Sequence, residues 1–383
     1  MWGNAMRIAR IRGFDIKVDA SWFLIAALIV WSLATTYFPT ELPDTGTATL
    51  FASAVLAMLG LFASLILHEL AHAEVAARFG LRISGITLFL FGGVAEMQSE
   101  PAGGTSEFWV AIAGPIASVC LALAFWFSAQ IADVISAPDP ARLILHYLAW
   151  INLILAIFNL LPAFPMDGGR VLRAWLWTRS GNLLEATRRA TTVSAAFAYV
   201  FMGIGLFAAF TGTLAAGLWP VLIGLYLLVT SRAALAQLET KTALDGQTVA
   251  ELMTKHPWTA NPGQSLSDLV NRVFLAHGIS FVPVVERGTL LGYVDLQIVR
   301  KIDQDNWTTT TVEDVIESVN AGNTIPPQMS GLDLMSLIMK TGRRKYIVAD
   351  ENQLMGVITL SDVLGYLSVF REVTTPLPKT MVN

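Results

Sequence analysis

The stretch LFASAVLAMLGLFASLILHELAHAEVAARF, residues 50–79, decides the reading of this chain. Residues 50–67 hold no charge, and then His68-Glu69-Leu70-Ala71-His72 puts two imidazoles and a carboxylate into the same apolar run. The run exceeds the roughly 20 residues that a membrane-spanning helix needs. Ionisable groups are costly at that depth and mark function. On a helix, positions four apart share a face, so His68 and His72 both reach one metal ion. An HExxH pattern suits zinc, with Glu69 beside the metal as a general base.

The composition agrees. Of 383 residues, 54% are hydrophobic and 14% charged, and the mean hydropathy is +0.57. Soluble domains carry about 25% charged residues, so the chain reads as a membrane protein. Charge is sparse between Ala20 and Ala234 and ordinary from there to Asn383. A net charge of −4 gives no basis for nucleic-acid binding. The single cysteine, Cys120, excludes an intramolecular disulfide and reads as a small core residue. Some twenty residues precede the first apolar run and no clear A-x-A cleavage site follows it, so it reads as a retained span.

Six runs have the length to cross: residues 21–38, 50–79, 108–134, 143–161, 191–210 and 214–234. The last two form a helical hairpin around Thr211-Gly212-Thr213. Basic residues cluster before the first span (Arg7, Arg10, Arg12, Lys17) and after the second (Arg78, Arg82). Further clusters lie between the fourth and fifth spans and after the sixth, whereas the loop 39–47 has none. The positive-inside rule then puts both termini in the cytoplasm of a multi-pass cell-membrane protein. His72 lies close to the cytoplasmic end of its span, within reach of water.

Residues 83–97, ISGITLFLFGGVAEM, are too short to cross as a helix, and their β-formers bracket a Gly-Gly pair. A hairpin is predicted. Two readings fit it: a cytoplasmic loop, or a re-entrant ribbon beside the metal whose edge receives an extended substrate strand.

A catalytic zinc takes three protein ligands and keeps an open position. The third ligand is sought in FNLLPAFPMDGGR, residues 158–170. Pro162 and Pro165 break the fourth helix and Gly168-Gly169 loosens the chain after it, so Asp167 swings toward the depth of His72. The plainer reading makes Asp167 a helix-ending turn residue. Asn159 suits a hydrogen bond to the oxyanion of a reacting carbonyl, with interhelical hydrogen bonding as the alternative for it and for Asn152. Ala113-Gly114-Pro115 reads as close packing and a kink. His146 reads as interfacial, and the spacing of Glu74 and Glu96 assigns them nothing.

HELAH in one span, with NLLPAFPMDGG two spans later and GGVAEM and AGPIAS between them, resembles the site-2 protease family of intramembrane zinc metalloproteases. The resemblance covers the chain to about Gln237. It implies one Zn²⁺ per chain held by His68, His72 and Asp167, with Glu69 as catalytic acid and base and the Gly92-Gly93 loop entering the bilayer. It also implies a transmembrane protein substrate cleaved within or near its span. Met166 departs from the family's more frequent Leu, a near volume-conserving change.

Beyond a linker the chain repeats itself. VAELM at 249–253 and VEDVI at 312–316 each open a copy. An amphipathic helix (266–276; 332–339), a strand (281–285; 345–349), a turn and a second strand follow in each. The pair resembles tandem CBS domains. Such pairs imply an adenine-nucleotide sensor, with Thr359 and Asp362 at the family's phosphate- and ribose-contacting positions; Asp295 and Ile298 depart from that pattern in the first copy. A dimerisation module is the alternative, giving a homodimer through this pair.

The expected fold is an α-helical polytopic membrane domain of about six transmembrane helices with a re-entrant β-hairpin, followed by an α/β tandem CBS module. The expected segments are 1–237 (protease), 238–247 (linker), 248–304 and 308–370 (CBS copies) and 371–383 (tail). A CBS-regulated transporter or channel with a structural metal site is the competing reading. The repeats and scattered midplane charges that a transporter would carry are not seen in the sequence.

Overall fold

The computed structural model describes residues 6–11, 13–81, 83–89, 92–97, 101–351 and 353–374. The chain divides into two units, Met1–Leu235 and Ala236–Asn383.

In the first unit β1 (Met6–Ile11) and β2 (Phe14–Val18) form an antiparallel hairpin. The Asp19 carboxylate then caps α1 (Ala20–Ser32) by accepting from the Ser21 amide at 2.9 Å. A π-helical turn at Leu33–Tyr37 joins α1 to α2 (Phe38–Glu41). The HELAH helix is α3 (Thr47–Arg78). β3 (Ile83–Phe89) and β4 (Gly92–Met97) follow, and then the helices α4 (Gly104–Val134), α5 (Asp139–Asn159), α6 (Asp167–Ser180), α7 (Leu183–Thr211) and α8 (Leu214–Leu244), whose residues from Ala236 on count with the second unit. Six helical rods among the described residues have the length and composition to cross a membrane.

Their packing is that of membrane helices. Interior positions are small: Ala54, Ala57, Ala73, Ala111, Ala174, Ala190 and Ala198 are all fully buried. Large apolar groups such as Phe127, Phe207 and Trp219 face outward. Without a hydrophobic drive between helices, close approach of small residues supplies the van der Waals contact. The α7–α8 hairpin shows this directly, since a Cβ on Gly205 would lie 2.6 Å from the Gly217 carbonyl oxygen. α4 packs against α3, α5 and α6.

The predicted hairpin at 83–97 is present, with Leu88 opposite Gly93 and Phe89 opposite Gly92. The Gly-Gly pair therefore opens β4 instead of forming the turn, and residues 90–91 lie outside the described residues. The spacing of residues did not reveal that β3 runs parallel to β2, which gives a four-stranded sheet in the order β1-β2-β3-β4. Gly85 permits the approach: a Cβ there would sit 2.5 Å from the Asp15 carbonyl oxygen. β4, like β1 at the other side, is an edge of this sheet among the described strands, and β4 lies against α3.

The second unit repeats one plan. Its first copy runs α9 (Val249–Leu252), β5 (Thr254–Lys255), α10 (Leu266–Asp268) with a π-helical extension at Leu269–Leu275, β6 (Phe281–Glu286), β7 (Thr289–Asp295) and α11 (Leu296–Val299). The second runs α12 (Val312–Val315), β8 (Glu317–Ser318), β9 (Thr324–Ile325), α13 (Gly331–Thr341), β10 (Lys345–Asp350), β11 (Gln353–Thr359) and α14 (Leu360–Thr374). Sheet orders are β6-β7-β8 and β5-β11-β10-β9, so β8 and β5 each cross to the other copy's sheet. The register shifts between Val284 and Val285 in one copy and between Val348 and Ala349 in the other, an irregularity that repeats with the fold. Each copy has its own apolar core, and Phe281 and Tyr293 pack with Ile347 and Val357 to join them.

Candidate metal centre

His68 and His72 lie one turn apart on α3, and both rings are buried. Asp167 is the first residue of α6, delivered by the turn after α5. His68 Nε2 and His72 Nε2 are 3.2 Å apart, and Asp167 Oδ2 lies 3.3 Å from the first and 3.1 Å from the second. Among the described residues these three form the one group of metal-ligating side chains.

The donor set fits a zinc ion in three respects. A tetrahedral site with bonds of about 2.0–2.1 Å has edges of roughly 3.3–3.4 Å, close to these separations. The His72 Nδ1–H donates to the Val110 carbonyl at 2.6 Å, so a neutral ring turns its Nε2 lone pair into the cluster. His68 Nδ1 is held likewise, 2.8 Å from Ser118 Oγ. Finally, the wall opposite the rings is Gly114, where a Cβ would lie 2.2 Å from His72 Nε2 and 2.5 Å from His68 Nε2. The space a metal needs exists because that residue has no side chain.

The path of the chain to Asp167 differs from the loosened segment expected. Gly168 and Gly169 are buried in the first turn of α6. A Cβ on Gly168 would sit 2.2 Å from the Leu160 carbonyl oxygen, and one on Gly169 2.6 Å from the Ala163 carbonyl carbon. The glycines let the α5–α6 turn fold tightly onto the helix, which fixes Asp167 in place. The Phe164 amide donates to Ser194 Oγ on α7 at 2.9 Å and anchors the same turn.

Glu69, the next residue after His68, is partly buried and makes no side-chain hydrogen bond among the described residues. Asn159 ends α5, is partly buried, and its amide likewise has no hydrogen bond there. Asn152 is committed elsewhere: its amide donates to Ser64 Oγ at 3.1 Å and to the Leu148 carbonyl at 2.8 Å. Glu74 pairs with Arg78, and His146 with Asp133. The side chain of Glu96 lies outside the described residues.

Residue spacing alone did not assign Gly114, Ser118 or the Val110 carbonyl to the site. Ala113-Gly114-Pro115 was expected to serve packing, yet Gly114 makes room beside both rings. A small residue and a hydroxyl four apart on one face of an apolar helix was the available signal.

In the second unit Thr359 and Asp362 meet each other. The Thr359 amide and hydroxyl both donate to Asp362 Oδ2 at 2.8 Å, a capping box at the start of α14. A cavity of about 540 Å³ lies instead at Asp295, between Phe281 and Tyr293 of the first copy and Arg343, Arg344 and Lys345 of the second. Burial pushes the Lys345 ammonium below the ordinary lysine range although Asp295 lies 3.9 Å away, and the Tyr293 hydroxyl beside Arg343 raises that guanidinium.

The sequence model of Peptidase family M50 matches residues 56–138 and 129–203, and that of the CBS domain matches 249–304 and 312–369. The chain is 34% identical over 376 residues to a Mycobacterium tuberculosis protein carrying the name zinc metalloprotease Rip3, covering 96% of this chain and 94% of that protein. It is 30% identical over 311 residues to zinc metalloprotease MJ0392 of Methanocaldococcus jannaschii, covering 81% and 84%. A solved structure of the site-2 protease from Methanocaldococcus jannaschii matches 60% of this chain and 94% of its own length at 30% identity, with a TM-score of 0.41.

Proposed function

The chain belongs to peptidase family M50, the site-2 proteases, and from that membership we propose that His68, His72 and Asp167 hold the zinc of an intramembrane metalloendopeptidase in which Glu69 moves the proton. The approach of His68 Nε2, His72 Nε2 and Asp167 Oδ2 to within 3.3 Å of one another carries this reading.

When bound, zinc supplies Lewis acidity, which polarises a carbonyl and acidifies water. The chain's own groups do the rest. The Glu69 carboxylate, with no hydrogen bond to another described side chain, is available to take the proton of the attacking water and pass it to the leaving amide nitrogen. Asn159, with its amide uncommitted, donates to the developing oxyanion. The Val110 carbonyl and the Ser118 hydroxyl hold the two rings so that little reorganisation accompanies the reaction. The substrate is a transmembrane segment that unwinds locally, since helical carbonyls are already hydrogen-bonded. The free edge of β4, beside α3, supports the reading of a ribbon that pairs with the unwound strand within the bilayer.

Both termini face the cytoplasm in this proposal, because the basic clusters all fall on one side of six spans. The segments are the protease at 1–237, a linker at 238–247 and CBS copies at 248–304 and 308–370. The CBS pair takes an adenine nucleotide, with Thr359 and Asp362 as contacts, or joins a second copy of the chain.

The test of the protease reading is Glu69→Gln in the full chain, purified in detergent. One zinc per chain is expected to remain while cleavage of a membrane protein captured by that variant falls at least about a hundredfold. Cleavage at the wild-type rate would remove Glu69 from the reaction. For the CBS unit, AMP and ATP are titrated against the full chain, with a rise in melting temperature expected, and its loss expected in Thr359→Ala.

A further inference from the structure

α4 presents one stripe to the metal centre. Glu107, Val110, Gly114 and Ser118 recur at intervals of three and four and therefore share a face. Ser118 holds His68, the Val110 carbonyl holds His72, and Gly114 leaves the space beside both. Glu107, at the end of the same stripe, is fully buried and hydrogen-bonds to neither histidine. Its Oε1 accepts from Arg173 Nε at 2.8 Å and from Arg173 Nη2. Arg173 is on α6, the helix whose first residue is Asp167, and its guanidinium lies over the Phe164 ring, 5.2 Å from the centroid. Phe164 belongs to the turn that delivers Asp167. Arg173 thus grips α4, α6 and the turn at once.

We propose that the Glu107–Arg173 pair is a positioning latch that sets the rotation and height of α6, so that Asp167 meets the two histidines which the same face of α4 has already oriented. The inference rests on the metal reading of His68, His72 and Asp167. Rotating a helix by about 10° moves a carboxylate some 5 Å off its axis by about 1 Å, enough to take it out of reach of a metal. With Glu107 fully buried and Arg173 half-buried, the pair is a poor source of stability compared with an apolar one. It also leaves Glu107 Oε2 buried with no hydrogen-bond partner among the described residues. Orientation is the role such a pair can fill where its net contribution to stability is small. The two donors reaching one carboxylate oxygen give direction that a single point charge would not.

The experiment uses the full chain in detergent with Co²⁺ as the probe metal, whose visible absorption reports coordination geometry. Wild type is compared with Glu107→Gln, Arg173→Gln, Arg173→Lys and the double variant Glu107→Gln/Arg173→Gln. Each single neutralisation is expected to weaken Co²⁺ binding at least about tenfold and to alter the absorption band. Arg173→Lys, which keeps the charge and loses the fork, is expected to recover part of the affinity. The double variant leaves no uncompensated charge, so its melting temperature should return toward wild type while its band stays altered. Wild-type affinity and spectrum in the double variant and in Arg173→Lys, whatever their melting temperatures, would reduce the pair to a stability element and overturn the proposal. A wild-type chain that binds no Co²⁺ would instead remove the metal reading and the latch with it.

Discussion

Gly114 contributes only an absence, and that absence is where His68 and His72 present their Nε2 atoms. Gly114→Ala is therefore expected to abolish zinc binding in a chain that still folds, because the added methyl falls on the ring nitrogens and helix α4 otherwise tolerates alanine well. Zinc content of the purified variant checks this; full occupancy would show that the rings have another wall. Ser118→Ala removes the partner of His68 Nδ1 and is expected to weaken zinc binding by about 10–100-fold, measured by competition with a chelator. The histidines and Glu69 were legible in sequence because charge stands out in hydrocarbon. Gly114 and Ser118 were not, because small residues in a membrane helix look the same whether they admit a neighbouring helix or a metal.

At the level of elements, α6 is the part that spacing of residues missed. Residues 167–180 fall between the fourth and fifth apolar runs, where Arg170, Arg173 and Arg179 break the hydrophobic pattern and no element was predicted. The structure makes them a helix whose first turn carries Asp167 and whose buried side, with Gly168, Gly169 and Ala174, lies against its neighbours. The second unit shows the opposite case, where local sequence fixes helix starts. Glu251 accepts from the Thr248 amide and hydroxyl, and Asp314 from the Thr311 hydroxyl and amide, which holds both carboxyls below their ordinary range. A carboxyl with a folded pKa below its unfolded value stabilises folding above the unfolded value, about 3.9–4.3 here, and ceases to as pH falls through the folded one. Amide exchange of residues 248–253 and 311–316, corrected for intrinsic rate, should thus hold steady from about pH 7 to 5 and quicken below about pH 4. Glu251→Gln should flatten that dependence in the first segment and leave it in the second.

Across the whole molecule, the metal reading joins groups that lie 99 positions apart in the chain, His68 and Asp167. An ion bound there cross-links α3 to α6 and stabilises the folded unit by mass action, by about 2.7 kcal/mol at a free concentration 100 times its Kd. A zinc-dependent rise in melting temperature is expected for the full chain, abolished by His68→Ala; a melting temperature indifferent to zinc in wild type would deny the cross-link. Amino-acid order by itself determined the membrane class, the HExxH face, the hairpin and the doubled C-terminal unit, because each follows from local periodicity and from the cost of charge in hydrocarbon. Only the tertiary structure decided that α4 is the common support of the site, that an N-terminal hairpin joins β3, and that Thr359 and Asp362 cap a helix while the cavity opens at Asp295. Those outcomes depend on which faces of distant elements meet, and a contact between distant residues leaves no period in the chain for a local pattern to reveal.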